Sequence, residues 1–168
     1  MQPKQNFGIV EGMKGDAKII DLLNEILTGE LTAINQYFLH GKMLKNWGFA
    51  RLAAKLHAES IDEMKHADRL IERVLYLEGL PNVQRLGKIN VGQTVPEMLK
   101  NDYGVELVAI PLLNRSIATC RDAGDHGTEE LLRDILTSEE EHVDWLEAQL
   151  ELVKQLGEAN YLAQQIRD

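Results

Sequence analysis

The spacing of apolar positions predicts four long helices. The first runs from about Asp16 to Trp47, with Asp16 as its N-cap and Gly48 as its stop. On it Leu23, Leu27, Ile34, Tyr37, Gly41 and Leu44 recur at the three- and four-residue steps of one helical face. The second runs from about Phe49 to Glu78, with Gly79 and Pro81 beyond it, and carries Leu56, Leu70, Val74 and Leu77 inward. The third opens on the capping box Thr94-Val-Pro-Glu97 and carries Leu99, Tyr103, Ile110, Leu113, Ile117 and Cys120. The fourth follows the Gly124–Gly127 turn, carries Leu132, Ile135, Leu146, Leu150 and Val153, and ends at Gly157. A short fifth helix follows, through Tyr161 to Ile166.

Connection lengths set the topology. The first two helices are joined almost directly, as are the last two, so each pair is an antiparallel hairpin. Between the hairpins lie the fourteen residues Leu80 to Gln93, rich in Pro, Gly and Asn. At about 3.3 Å per residue they reach roughly 46 Å. A helix of this size is about 42 Å long. The segment therefore runs the length of the bundle and leaves the second and third helices parallel. The expected fold is all-α: a four-helix bundle with one long crossover and a short C-terminal fifth helix.

Each inward face also carries one glutamate near its middle: Glu30, Glu63, Glu106 and Glu139. The second and fourth helices add a histidine three residues later, in Glu63-Met-Lys-His66 and Glu139-Glu-Glu-His142. Residues three apart share a helix face, so each pair points inward together. Glu30 and Glu63 are 33 residues apart, as are Glu106 and Glu139, and a shift of 76 superposes all six groups. Two hairpins related by a pseudo-twofold axis would set these six at one level of the core.

Burying one carboxylate costs several kcal/mol unless its charge is met, and four together repel one another. No lysine or arginine lies on the four inner faces. Two divalent cations would balance four carboxylates, and two neutral imidazoles would complete the ligand set. Carboxylate with imidazole suits iron or manganese, with zinc as a competitor. A Glu plus a Glu-x-x-His from each half is the di-iron carboxylate arrangement.

Composition narrows the alternatives. Hydrophobic residues make up 44% of 168 and aromatic residues 5%, a normal mix for one helical domain. The net charge of −9 argues against a nucleic-acid surface and for cationic partners. Cys120 is the single cysteine, so Cys-rich zinc or iron–sulfur sites are excluded, and it reads as a core thiol. No apolar run reaches the roughly 20 residues of a membrane span, and no targeting signal is recognisable, so the cytoplasm is the expected location. His40, His57 and His126 read as surface or interface histidines. Pro111 inside the third helix predicts a kink or π-bulge near Glu106. On the second helix Ile61, Met64, Ile71 and Leu75 form a second apolar stripe facing away from Glu63, which predicts burial against another subunit. Met64 there either fills a dimer contact or offers a thioether to a cofactor.

From Met13 onward the chain resembles the bacterioferritins, the haem-containing branch of the ferritin family. The resemblance rests on Met13-Lys-Gly-Asp16, Ala33-Ile-Asn-Gln-Tyr-Phe-Leu-His40, Glu59-Ser-Ile-Asp-Glu-Met-Lys-His-Ala-Asp68, Leu77-Glu-Gly-Leu-Pro-Asn82 and Asn160-Tyr-Leu162. It implies a domain over residues 13–168 with residues 1–12 as an extension. It implies a 24-subunit cage built from twofold dimers that oxidises Fe(II) with oxygen or peroxide and stores ferric mineral. Glu30, Glu63, His66, Glu106, Glu139 and His142 match the ferroxidase iron ligands, with Glu63 and Glu139 at the bridging positions. Met64 matches the ligand of a haem b shared by paired subunits. Tyr37 and Trp145 are candidate electron donors near the centre, and a ferredoxin-type protein the candidate outside reductant. Ala58 and Ser138 stand where some members carry a histidine and an aspartate, so their additional inner-surface iron site beside Asp62 is not expected here.

The implied chemistry is oxidation of two Fe(II) ions, followed by transfer of Fe(III) to the cavity or by cycling of the iron in place. Two rivals fit the same residues. One is another di-metal carboxylate enzyme of the catalase or peroxidase type, although a rubredoxin module would need four cysteines. The other is a non-enzymatic haem-binding storage shell with inert zinc in the centre.

Overall fold

The computed structural model describes residues 14–167, and among these the only regular elements are helices. The expected extension, residues 1–12, lies outside them. In chain order the helices are α1 (Ala17–Trp47), α2 (Ala50–Tyr76), α3 (Val95–Asp122), α4 (His126–Leu156) and α5 (Glu158–Ala163).

The ends fall where local chemistry places them. Asp16 caps α1 by accepting from the Lys18 amide at 2.8 Å. Gly48, at φ 90°, closes it in the left-handed conformation that glycine adopts most readily. Thr94 accepts from the Glu97 amide at 3.3 Å, and the Glu97 carboxylate accepts from the Gln93 amide at 2.8 Å. This is a capping box shifted by one residue on its return bond. Asp125 caps α4 and is itself held by Arg73 of α2 at 2.7 Å. The fifth helix lies earlier than expected, because Gly157 ends α4 and the next turn begins at once.

The expected bundle is what forms. Helix α1 packs along α2, α3 along α4, and α1 meets α3 across the two hairpins. The core is divided in two. At one end Leu23, Leu27, Leu70, Val74, Leu113 and Leu132 pack together. At the other, Leu44, Leu56, Met98, Leu99, Leu146 and Tyr161 do. Since the starts of α2 and α3 share one cluster and their ends share the other, these helices run parallel. Cys120 is buried in the first cluster, and that burial pushes its thiol up to about 11. Between the two apolar clusters lies a buried polar layer.

The crossover follows α1. Asn24 donates to the Leu80 carbonyl at 3.1 Å and accepts from the Asn82 amide at 2.8 Å. Thr32 accepts from the Gly87 amide at 2.8 Å, Gln36 from Asn90 at 3.0 Å, and His40 Nε2 from Gly92 at 2.9 Å. With Thr28 these residues recur every four positions on α1 and form a polar rail. The rail satisfies backbone amides of a segment that has no secondary structure of its own.

The surface placement of His40 and the π-bulge at Pro111 need correction. His40 is not a surface histidine but fully buried under this crossover. A lone histidine on a helix carries no sign of the segment that will later cover it. Helix α3 passes Pro111 with no π turn. Pro111 and Leu107 both sit on the exposed side, where water can meet the carbonyl that proline leaves without a donor.

Candidate metal centre

The polar layer is made from the six residues singled out in the sequence. Glu30 of α1, Glu63 and His66 of α2, Glu106 of α3, and Glu139 and His142 of α4 are all buried. They form two quartets: Glu30, Glu63, His66 and Glu139, and Glu63, Glu106, Glu139 and His142. Within each quartet one ligand atom per residue lies within 4.8 Å of the others. Glu63 and Glu139 belong to both. The repeat of the chain is therefore also a repeat in space.

Each imidazole turns Nδ1 toward the carboxylates. His66 Nδ1 lies 3.2 Å from Glu63, 3.1 Å from Glu139 and 3.7 Å from Glu30. His142 Nδ1 lies 3.0 Å from Glu106. Glu139 Oε1 is buried with the His66 imidazole, 3.1 Å away, as its one polar neighbour of opposite sign, and His142 Nε2 is buried without a hydrogen bond. Such buried polar atoms are expensive unless something binds them. Carboxylate oxygens and imidazole nitrogens at these separations suit a borderline or hard divalent cation.

A domain-family comparison and three relatives bear on the family of the chain. The ferritin-like domain family matches residues 20–156. Bacterioferritin BfrA of Mycobacterium tuberculosis is 51% identical over 152 residues, covering 90% of this chain and 96% of the relative. The bacterioferritin of Streptomyces coelicolor is 50% identical over 151 residues, 90% of each chain. That of Brucella melitensis is 44% identical over 149 residues, 89% of this chain and 92% of its own. The chain belongs to the bacterioferritin family.

In this bacterioferritin-family bundle the metal-free cluster is balanced by protons. Burial pulls His66 down, but hydrogen bonds with Glu139, Glu30 and Glu63 outweigh it and push the imidazole up to about 12. Burial raises Glu139 to about 9, against the pull of His66 and with the help of Glu63 and Glu106. Glu30 and Glu63 are raised by burial as well. Glu106 goes the other way, since burial is overcome by hydrogen bonds from His142 and Tyr37. Protons thus occupy the place that cations would take.

Two further buried carboxylates, Asp102 and Glu59, lie near the cluster. Asp102, one turn before Glu106, is fully buried and bonds His40 Nδ1 at 2.9 Å and Gln36 at 2.8 Å. Since His40 Nε2 accepts from Gly92, its Nδ1 donates to Asp102. Glu59, one turn before Glu63, is buried beside His142 Nδ1 at 3.7 Å and pairs with Lys55. The i, i+4 offsets to Glu106 and Glu63 were the available signal.

The remaining predicted residues are placed plainly. Tyr37 donates to Glu106, and its ring stands edge-on to His142 at 5.2 Å. Trp145 stacks near His142 at 6.2 Å. Met64 lies on the outer face of α2, 52% exposed, with Ile61 and Leu75 also exposed. It takes no part in the buried cluster. His57 and His126 are exposed, as expected. No helix among the described residues is long and apolar enough to cross a membrane.

Proposed function

We propose that this protein stores iron and oxidises Fe(II) to Fe(III) at the buried cluster. The observation that carries the reading is the pair of four-ligand groups sharing Glu63 and Glu139, buried with no lysine or arginine among them. Two Fe(II) ions are the substrates. Their four positive charges replace the protons held by the histidines and glutamates and match four carboxylates. Each ion gives up one electron. Dioxygen accepts both electrons with two protons and leaves as hydrogen peroxide. The protein holds the two ions side by side so that both electrons reach one oxidant. The relatives' printed names support this reading, as does the acidic total of −9.

The same reading takes residues 13–168 as the functional domain and a 24-subunit cage as the assembled form. The exposed stripe of Ile61, Met64 and Leu75 fits burial against a second copy. It also fits haem b, which the Met64 thioether and that of a twofold-related copy would hold in an apolar surround. Such a haem would supply a one-electron relay between an outside donor and stored iron. Reconstitution with haem separates Met64→Leu from unmodified protein, which should bind low-spin haem where the variant does not.

Stopped-flow Fe(II) oxidation tests the activity. Unmodified protein should show a fast phase that Zn(II) suppresses, and Glu63→Ala and His142→Ala should lack it while remaining folded. Equal rates in all three proteins would overturn the assignment.

A further inference from the structure

Three side chains that are not among the six ligands form a ring with His142. Trp145 of α4 faces the His142 imidazole, with ring centroids 6.2 Å apart and planes inclined by 24°. Lys55 of α2 sets its ammonium 5.1 Å from the centre of that indole. Glu59, one turn further along α2, holds the same ammonium in an i, i+4 ion pair through Oε1. Its Oε2 lies 3.7 Å from His142 Nδ1. Lys55 is half-exposed, yet its charge is fixed at two points, on a buried carboxylate and on an aromatic ring.

An indole against a ligand imidazole is a chemical liability in an iron-oxidising site. The oxidation proposed above leaves hydrogen peroxide beside Fe(II). Reducing that peroxide to two waters takes two electrons and two protons. One Fe(II) supplies a single electron and becomes Fe(III). Trp145 can supply the other, losing its N–H proton as well, so that one further proton from solvent completes the two waters. The product is then a damaged indole beside the cluster. A cation near the ring opposes this step. The ammonium is attracted to the intact π-cloud, and the attraction turns to repulsion as the ring gives up an electron.

We propose that Lys55, pinned by Glu59, keeps Trp145 reduced while iron is oxidised next to it. Lys55 acts on the selectivity of the reaction: electrons are drawn from Fe(II) and not from the protein. The inference rests on the ferroxidase reading for its oxidant, and on the arrangement of Lys55, Trp145 and His142 for the rest.

Lys55→Met removes the charge and keeps an unbranched stem, and Lys55→Arg keeps the charge. Each protein, with the unmodified chain, is taken through repeated aerobic additions of Fe(II) and digested. Peptide mass spectrometry then reads the oxidised fraction of both tryptophans. Trp47 is the internal control, since it ends α1 about 25 Å from Glu30 at the rise of a helix. In unmodified protein and in Lys55→Arg, Trp145 should be no more oxidised than Trp47. In Lys55→Met the oxidised fraction of Trp145 should rise about fivefold, with Trp47 unchanged. The fast phase of the first Fe(II) addition should be the same in all three proteins. Equal oxidation of Trp145 in unmodified protein and Lys55→Met would overturn the proposal. So would oxidation of Lys55→Arg to the level of Lys55→Met, which would make Lys55 a packing residue. Unmodified protein that oxidises no Fe(II) would sink the ferroxidase reading instead. The shielding is then read on metal-free protein with azide radicals, which take one electron from indole: a higher ratio of oxidised Trp145 to Trp47 in Lys55→Met supports it, and an unchanged ratio overturns it.

Discussion

Tyr37 on α1 donates its phenolic proton to Glu106 on α3, and the same carboxylate oxygen lies 3.0 Å from His142 Nδ1. The internal repeat puts Leu113 where a second such tyrosine would be, 76 residues on. The six ligand positions are therefore symmetric and their surroundings are not. Glu106 is held as a carboxylate by His142 and Tyr37, while burial raises Glu30. A cation meets an ionised glutamate in one half and must displace a proton from the corresponding glutamate in the other. Sub-stoichiometric Co(II) should fill the Glu106/His142 quartet first, and anomalous scattering from such crystals reads the order. In Tyr37→Phe that preference should shrink, and the metal-free fold should lose about 1–3 kcal/mol of stability in denaturant melts. Equal filling of both halves by the unmodified protein would contradict this.

The protons in the metal-free cluster give stability a pH dependence. His66 keeps its proton up to about 12 in the folded protein, whereas in the unfolded chain it loses it near 6.5. Glu139 keeps its proton up to about 9, against 4.5 when unfolded. Between pH 6.5 and 9 the folded state binds more protons on both counts, so stability falls as pH rises. Thermal melts of metal-free protein should show Tm decreasing across that window. With Co(II) bound the protons are gone, and the decrease should be absent. A metal-free Tm that rises from pH 6.5 to 9 would contradict the proton-balanced cluster.

Glu139→Gln removes one of the four carboxylates and keeps the shape. Near pH 7 folding must place on Glu139 a proton that the unfolded chain lacks, and glutamine avoids that cost. Metal-free protein should melt at equal or higher temperature than the unmodified chain, while Co(II) binding weakens about 100-fold or more, as for loss of a shared ligand. Opposite changes in stability and in binding mark a functional group rather than a structural one. Reduced stability with binding intact would reverse that assignment.

The crossover depends on buried His40. In His40→Ala the Gly92 amide loses its acceptor and Asp102 loses a donor, each at about 1–3 kcal/mol for a buried group left unpaired. The loss should appear first as cleavage within residues 80–93 under limited proteolysis, because that segment relies on the α1 rail for its amide bonds. Unchanged proteolysis and stability would show that the rail holds without this histidine.

Leu23, Leu27, Glu30 and their counterparts were legible because helix period and repeat offset belong to the chain itself. So was the reach of the crossover, since fourteen residues have a calculable length. Its path was not. The rail of Asn24, Thr28, Thr32, Gln36 and His40 reads in sequence as an ordinary polar helix face until the covering segment is in place. Asp102 and Glu59 were hidden for a related reason. They share helix faces with Glu106 and Glu63, but a polar residue at that spacing is as common on solvated faces. Pro111 brings no π turn, because the cost of a helical proline depends on whether water reaches the freed carbonyl.

The central claim is that six side chains from four helices hold two divalent ions side by side. Anomalous diffraction from metal-free crystals soaked with Fe(II) without oxygen tests it most directly. Two peaks per chain, one in each of the two quartets and with Glu63 and Glu139 reaching both, are the expected result. Absence of iron from the cluster, or a single peak among the six ligands at saturating Fe(II), would contradict the account.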